Sequence, residues 1–233
     1  EDRAASRDKI ADMVQTAEPK TDWLVFPEMA LTGFSMDLGK TTWKPDDYAF
    51  FSDLSRSFHC YCTVGGVEEG RNTAMVFRPD GTLIARYVKR QLFSFAGEDR
   101  HYQKGATPTR YAVGSVNISQ GICYDLRFPG NFWPEAPVVD AYCVIAAWGG
   151  KRREHWRSLL AARAIENQAF CIGVNRTGQE PGNFYTGDSM VIDPMGRVLL
   201  DCGEEEGVFT VALDLGAVKD WRATFPALAD RES

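Results

Sequence analysis

Short apolar runs, broken by turn residues and interleaved with stretches of helical spacing, confine this chain to a layered α/β fold. Residues 5–17 set Ile10, Met13 and Val14 at helical intervals. Trp23-Leu24-Val25-Phe26 is a continuous apolar run of buried-strand length. Helical spacing returns over 48–58, and 61–67 then reads as a strand closed by Glu68-Glu69-Gly70-Arg71-Asn72. Segments 74–77 and 83–88 read as strands joined by the turn Pro79-Asp80-Gly81. Further strands are expected over 111–118, at Ile122-Cys123, and over 138–147 and 170–174. A helix at 153–168 carries Trp156, Leu159, Leu160, Ala164 and Ile165. A second hairpin joins 190–192 to 198–200 across Asp193-Pro194-Met195-Gly196, and 208–213 is expected to end the sheet region. Alternating helices and strands with hairpins among them mean mixed sheets.

The 233 residues, 44% hydrophobic and 25% charged, suit one domain with one large core. A net charge of -6 does not indicate a basic face for nucleic acid or anionic lipid. No apolar run approaches the roughly 18 residues of a membrane span. Six cysteines lie scattered in apolar, strand-like settings, the pattern of a reduced cytoplasmic protein rather than a disulfide framework. His59-Cys60-Tyr61-Cys62 has the look of a metal clip, but no second Cys/His pair stands at matching spacing, so no metal is expected.

Candidate chemistry centres on Cys123 in Gly121-Ile122-Cys123-Tyr124-Asp125-Leu126-Arg127-Phe128-Pro129. A thiol at the carboxyl end of a strand, where a turn begins, meets substrate, and free N–H groups there favour negative charge. Glu28 follows Pro27 directly after a buried strand among Phe26, Met29, Ala30 and Leu31, where desolvation would make its carboxylate a usable base. Lys89 ends a strand before Leu92-Phe93 and would pair with carboxylates and stabilise an oxyanion. Glu98 lies in a polar loop and has little specificity alone. His101 and His155 are the competing bases of a Cys–His arrangement.

Glu28, Lys89, Glu98 and Cys123, in that order and with their flanks, resemble the nitrilase superfamily of carbon–nitrogen hydrolases. The matching runs are FPEMALTGF, YVKRQLF, GEDRHYQKG and GICYDLRFP, continued by HWRSLLAARAIENQAF, GVNRTG and GDSMVIDPMG, so that the likeness spans residues 10 to 226. From KRQLF to HYQKG the wording is similar to the omega-amidase branch, which acts on the terminal amide of short dicarboxylic acid monoamides. The resemblance implies one carbon–nitrogen hydrolase domain over 1–233, a four-layer αββα sandwich, at least a homodimer, and no metal or organic cofactor. It makes Cys123 the nucleophile, Glu28 the base, Lys89 the oxyanion partner and Glu98 an aid to Lys89.

An amide that also bears a carboxylate needs a cation at its far end. Arg152 is the first candidate and Arg127 the second, although pairing with Asp125 is the expected duty of Arg127. Tyr124, Phe95 and Trp148 are candidate substrate contacts, and Arg163 with Glu166 an i,i+3 helix pair. Departures from the family pattern are Ala147, where relatives often carry asparagine, and Gln91, where many carry histidine. Relatives also open with a strand ahead of the first helix, so an open sheet edge is expected here. Other amidases, N-carbamoyl-amine hydrolases, nitrilases and a catalytically silent scaffold are the alternative readings.

Overall fold

The computed structural model describes residues 2–180 and 182–231. Helix α1 (Arg3–Ala17) is capped by Asp2, whose carboxylate accepts from the Ala4 N–H at 2.9 Å. Strand β1 (Trp23–Val25), the single-turn helix α2 (Leu38–Thr41) and helix α3 (Pro45–Phe58) follow. Proline at the first position of α3 and the Asp47 carboxylate, accepting from the Lys44 N–H at 2.8 Å, start that helix three residues before its apolar spacing becomes visible. Strands β2 (Tyr61–Glu68), β3 (Arg71–Phe77) and β4 (Leu83–Val88) complete a sheet in the order β1-β2-β3-β4, with β1 and β2 parallel and the rest antiparallel.

The second sheet is built from β5 (Arg110–Val113), β6 (Val116–Ile122), β7 (Ala141–Ala146), β8 (Phe170–Asn175), β11 (Met190–Ile192) and β12 (Val198–Asp201). Helix α4 (Arg153–Asn167) links β7 to β8, a small antiparallel pair β9 (Thr177–Glu180) and β10 (Asn183–Thr186) precedes β11, and helix α5 (Gly216–Thr224) follows β12. The order is β12-β11-β8-β7-β6-β5, parallel through β6, β7 and β8 and antiparallel at both flanks. The α4 crossover is what allows β7 and β8 to run parallel.

The layering follows from side-chain alternation along β3. Met75 and Phe77 join Val14 of α1 and Phe51 and Leu54 of α3 in one apolar cluster. Ala74 and Val76 point the other way, into the cluster that holds Ile118, Ile122 and Ile145 of the second sheet. That sheet's far face packs on Trp156, Leu160 and Ala164 of α4 and Val218 of α5. Helices, sheet, sheet, helices: the chain is an αββα sandwich of mixed sheets. No helix among the described residues is long and apolar enough to cross a membrane.

Several sequence expectations need correction. The run over 111–118 is a hairpin, turned at Gly114 with φ +57°. The strand expected over 138–147 is only Ala141–Ala146. Asn72 stands inside β3, paired across from Val67, rather than in a closing turn. Residues 208–213 carry no sheet ladder among the described residues. They face β1 across a groove of about 900 Å³, lined also by Ile10 and Val116. Among the described residues β1 is the outermost strand of the first sheet.

Candidate active site

Four segments converge at the carboxyl ends of β1, β4, β6 and β7. Gly65 of β2 allows the first approach: a Cβ there would sit 2.6 Å from the Glu28 Cα, so only glycine lets the chain after β1 lie this close. Met29 then takes φ +49° and turns the backbone sharply behind Glu28. Cys123 follows β6 directly and itself adopts φ +47° at the head of a 3-10 turn over Cys123–Arg127, a strained conformation for a residue with a side chain.

Asp125 holds that turn. Its buried carboxylate accepts from the Ile122 N–H at 2.9 Å, the Tyr87 hydroxyl at 2.8 Å, the Gln91 N–H at 2.8 Å and Asn131 Nδ2 at 3.2 Å. Burial pushes Asp125 up to about 6 against these donors. The expected Arg127–Asp125 pair does not form. Arg127 instead lies over the Trp148 ring at 4.7 Å, with Nη2 3.1 Å from His155 Nδ1. From behind, Arg163 donates to the Leu126 carbonyl at 2.8 Å and pairs with Glu166 at 2.7 Å, as its i,i+3 spacing predicts.

Lys89, Glu28 and Glu98 form a buried cluster, with Lys89 and Glu98 fully enclosed and Glu28 1% exposed. The Lys89 ammonium donates to Glu28 Oε1 at 2.9 Å, Glu98 Oε1 at 3.0 Å and Glu98 Oε2 at 2.9 Å. Glu28 Oε2 accepts from the Ala147 N–H at 2.8 Å, and Glu98 Oε2 from the Phe93 N–H at 2.6 Å. Burial alone would lower the Lys89 ammonium, but the two carboxylates outweigh it and hold it above its ordinary value.

The Cys123 thiol is pushed well above its ordinary value by burial first, then by the Glu28 charge. Lys89 pulls it down, and Glu98 raises it again. The expectation that turn N–H groups would favour a thiolate is therefore overruled by burial and two carboxylates. A thiol that keeps its proton needs a base within reach, and Glu28 is the neighbour that acts on it most strongly.

Around this centre, Tyr124 and Phe93 lie 5.0 Å apart, and Tyr124 meets Phe128 at 5.2 Å. Arg152 stands over Phe93 at 5.2 Å and Arg127 over Tyr124 at 5.9 Å. Trp148 is buried against Trp156, with its indole N–H on the Arg152 carbonyl at 2.8 Å. Phe95, expected as a pocket wall, is 88% exposed with its ring against Phe93. Phe93 is the phenylalanine that touches Tyr124 and Arg152. Neither Arg127 nor Arg152 has a carboxylate partner among the described residues, and each feels the other's charge. His101 and His155 are both exposed.

Sequence reasoning passed over Asn72, whose amide Nδ2 donates to Glu28 Oε1 at 2.7 Å and Glu98 Oε1 at 2.9 Å. Its position in a string of turn-forming residues concealed it. Cys60 and Cys62 are core residues beneath α3, and all six cysteines are unpaired and buried.

Comparison with known proteins identifies the family. A Carbon-nitrogen hydrolase family model matches residues 1–223. Omega-amidase YafV of Yersinia enterocolitica is 33% identical over 230 residues, 95% of this chain and 88% of that protein. The 2-oxoglutaramate amidase of Bacillus subtilis is 31% identical over 235 residues, covering 95% and 89%. A CN-hydrolase superfamily protein of Xanthomonas campestris, solved with an arsenic adduct in its active site, superposes with a TM-score of 0.92 at 32% identity, covering 100% of this chain and 92% of that one.

Proposed function

Because the chain belongs to the carbon–nitrogen hydrolase family, we propose that it is an omega-amidase, removing the terminal carboxamide of a small carboxylic acid such as 2-oxoglutaramate to give 2-oxoglutarate and ammonia. The observation that carries this reading is the enclosed Glu28–Lys89–Glu98 cluster acting on the Cys123 thiol, beneath two arginines that no carboxylate satisfies.

Glu28 takes the thiol proton as Cys123 sulfur bonds to the amide carbon. The carbonyl electrons move onto oxygen, where the Lys89 ammonium and a backbone N–H of the turn after Cys123 stabilise them. One such donor typically contributes about 10²–10³ in rate. Glu28 passes its proton to the amide nitrogen, the C–N bond breaks and ammonia leaves a thioester on Cys123. Glu28 then takes a proton from water, whose oxygen adds to the thioester. The C–S bond breaks and the proton returns to sulfur. Glu98 keeps Lys89 charged and in place.

At the far end, Arg152 and Arg127 meet the substrate carboxylate, and Tyr124, Phe93 and Trp148 bound the carbon chain. Phe95 stands at the rim, exposed and against Phe93. On this reading the chain works as one domain in a homodimer, in the reducing cytoplasm, on a small amide and water. The test is ammonia release from 2-oxoglutaramate, with glutamine, simple aliphatic amides and a nitrile alongside. Rapid release from the first, lost in Cys123→Ala, supports the reading. Turnover of another compound alone rejects the substrate, and silence across the panel favours a scaffold.

A further inference from the structure

The two carboxylates of the buried cluster do not have equivalent surroundings. Glu98 receives four donors: Lys89 on both oxygens, Asn72 Nδ2 on Oε1 and the Phe93 N–H on Oε2. Glu28 receives three: Lys89 and Asn72 Nδ2 on Oε1, and the Ala147 N–H on Oε2. A carboxylate offers about four acceptor sites. Glu98 is thus filled, whereas Glu28 keeps one site, on Oε2, for a proton.

Asn72 gives one donor to each carboxylate and so ties the two together. Its carbonyl accepts the Lys89 N–H at 2.9 Å, fixing the backbone that carries the ammonium. Its amide nitrogen spans the two glutamates. The orientation of that amide is set by the site, since a flip would press Oδ1 against two carboxylate oxygens. The consequence is that Oδ1 is buried with no partner among the described residues, a standing penalty in a fold that leaves few such atoms. A second cation in this place would bind both carboxylates more tightly and weaken the base, while an apolar side chain would leave them to repel each other. A neutral amide supplies two donors and no charge.

We propose that Asn72 is a positioning residue for the amidase reaction, joining Glu28 Oε1 to Glu98 Oε1 so that Glu28 Oε2 alone faces the Cys123 thiol. This rests on the reading of Glu28 as the base. Hydrogen bonds donated to a carboxylate favour its charged form, so removing one strengthens its hold on a proton.

The test is N72L, branched at the same carbon and without donors, compared with wild type in the pH dependence of kcat and kcat/KM on the best amide substrate. Expected is a loss of about 10- to 100-fold in kcat with KM within about threefold. The acid limb of kcat/KM should also move to higher pH. A role confined to folding would lower yield or thermal midpoint but leave that limb where it was. N72D keeps the shape and replaces both donors by an acceptor; it is expected to lose at least as much, and serves if N72L does not fold. Unchanged kcat and limb in a folded variant, or a rate loss equal at every pH, overturns the proposal. E28Q separates the two claims: if it keeps turnover, the base assignment itself fails, whereas an inactive E28Q beside a fully active N72L removes Asn72 alone.

Discussion

Glu28→Gln makes a demand on this site that a histidine-type cysteine enzyme would not meet. The Cys123 thiol lies well above its ordinary value of 9.0, which leaves less than about 1% thiolate at pH 7. After burial, the Glu28 charge contributes most to this elevation. Removing a like charge at contact range lowers such a group. The variant should therefore hold more thiolate than wild type at the same pH, yet turn over at least about 10³-fold more slowly, because no group remains to carry protons to nitrogen and from water. The neutral amide also sets an N–H or a carbonyl where Glu28 Oε2 now accepts the Ala147 N–H. The assay is thiolate absorbance near 240 nm against pH, each protein referenced to the matching variant that also carries Cys123→Ser, read beside ammonia release. The other cysteines do not interfere, since burial pushes each of them up, Cys60 and Cys202 to about 11 and Cys143 to about 12. A wild-type thiolate step centred below pH 8, or an E28Q protein that gains thiolate and keeps turnover, refutes the reasoning.

His155→Ala and His101→Ala should each keep ammonia release within about tenfold of wild type, and a loss near that of E28Q in either would restore a Cys–His pair. Arg152→Ala and Arg127→Ala should each raise KM about 10- to 100-fold for a carboxylate-bearing amide and distinctly less for a neutral one; equal effects on both would remove the arginines from substrate recognition. Asp125→Asn places an amide N–H among four converging donors and should lower the thermal midpoint as well as activity, whereas a midpoint matching wild type would show that the turn is held by other contacts. Unfolded thiols ionise near 8.5 while the buried ones keep their protons, so above that pH the unfolded chain binds fewer protons. Stability should then fall as pH rises from 8 to 10, by at most about 1.4 kcal/mol per pH unit for each cysteine; an unchanged urea midpoint would contradict this.

The sequence makes visible what local pattern controls. Alternation along 74–77, the turn at Pro79-Asp80-Gly81 and the spacing through α4 announce elements whose own residues decide them. The family wording around Glu28, Lys89, Glu98 and Cys123 announces the cluster. What stayed hidden depends on partners distant in the chain. Asn72 reads as a turn residue until β3 carries it between two glutamates 44 and 26 positions away. Asp125 looks like a partner for Arg127 until the Cys123–Arg127 turn aims its carboxylate inward at Tyr87 and Gln91. Residues 208–213 have strand composition, but composition does not supply a neighbouring strand. The thiol's elevation is likewise a property of enclosure, which no motif spells out.

Charge balance connects the buried cluster to the arginines outside it. Lys89 with two carboxylates leaves the resting site with one net negative charge, and proton transfer from Cys123 to Glu28 only moves that charge onto sulfur. The base step therefore creates no new charge in a low-dielectric enclosure, which keeps it accessible despite the reluctant thiol. A substrate that brings its own carboxylate breaks this economy by setting a second negative charge beside the first. Arg127 and Arg152, mutually repelling and held by aromatic faces rather than by acids, are short of the one thing such a substrate carries. With the proposed acid amide bound, cluster, carboxylate and arginines would come to neutrality together. A neutral amide leaves the two guanidinium groups opposed and unrelieved. On the proposed reading, the preference for an acid amide resides in the electrostatics of the whole cleft, and should weaken as salt concentration screens the half-buried arginines.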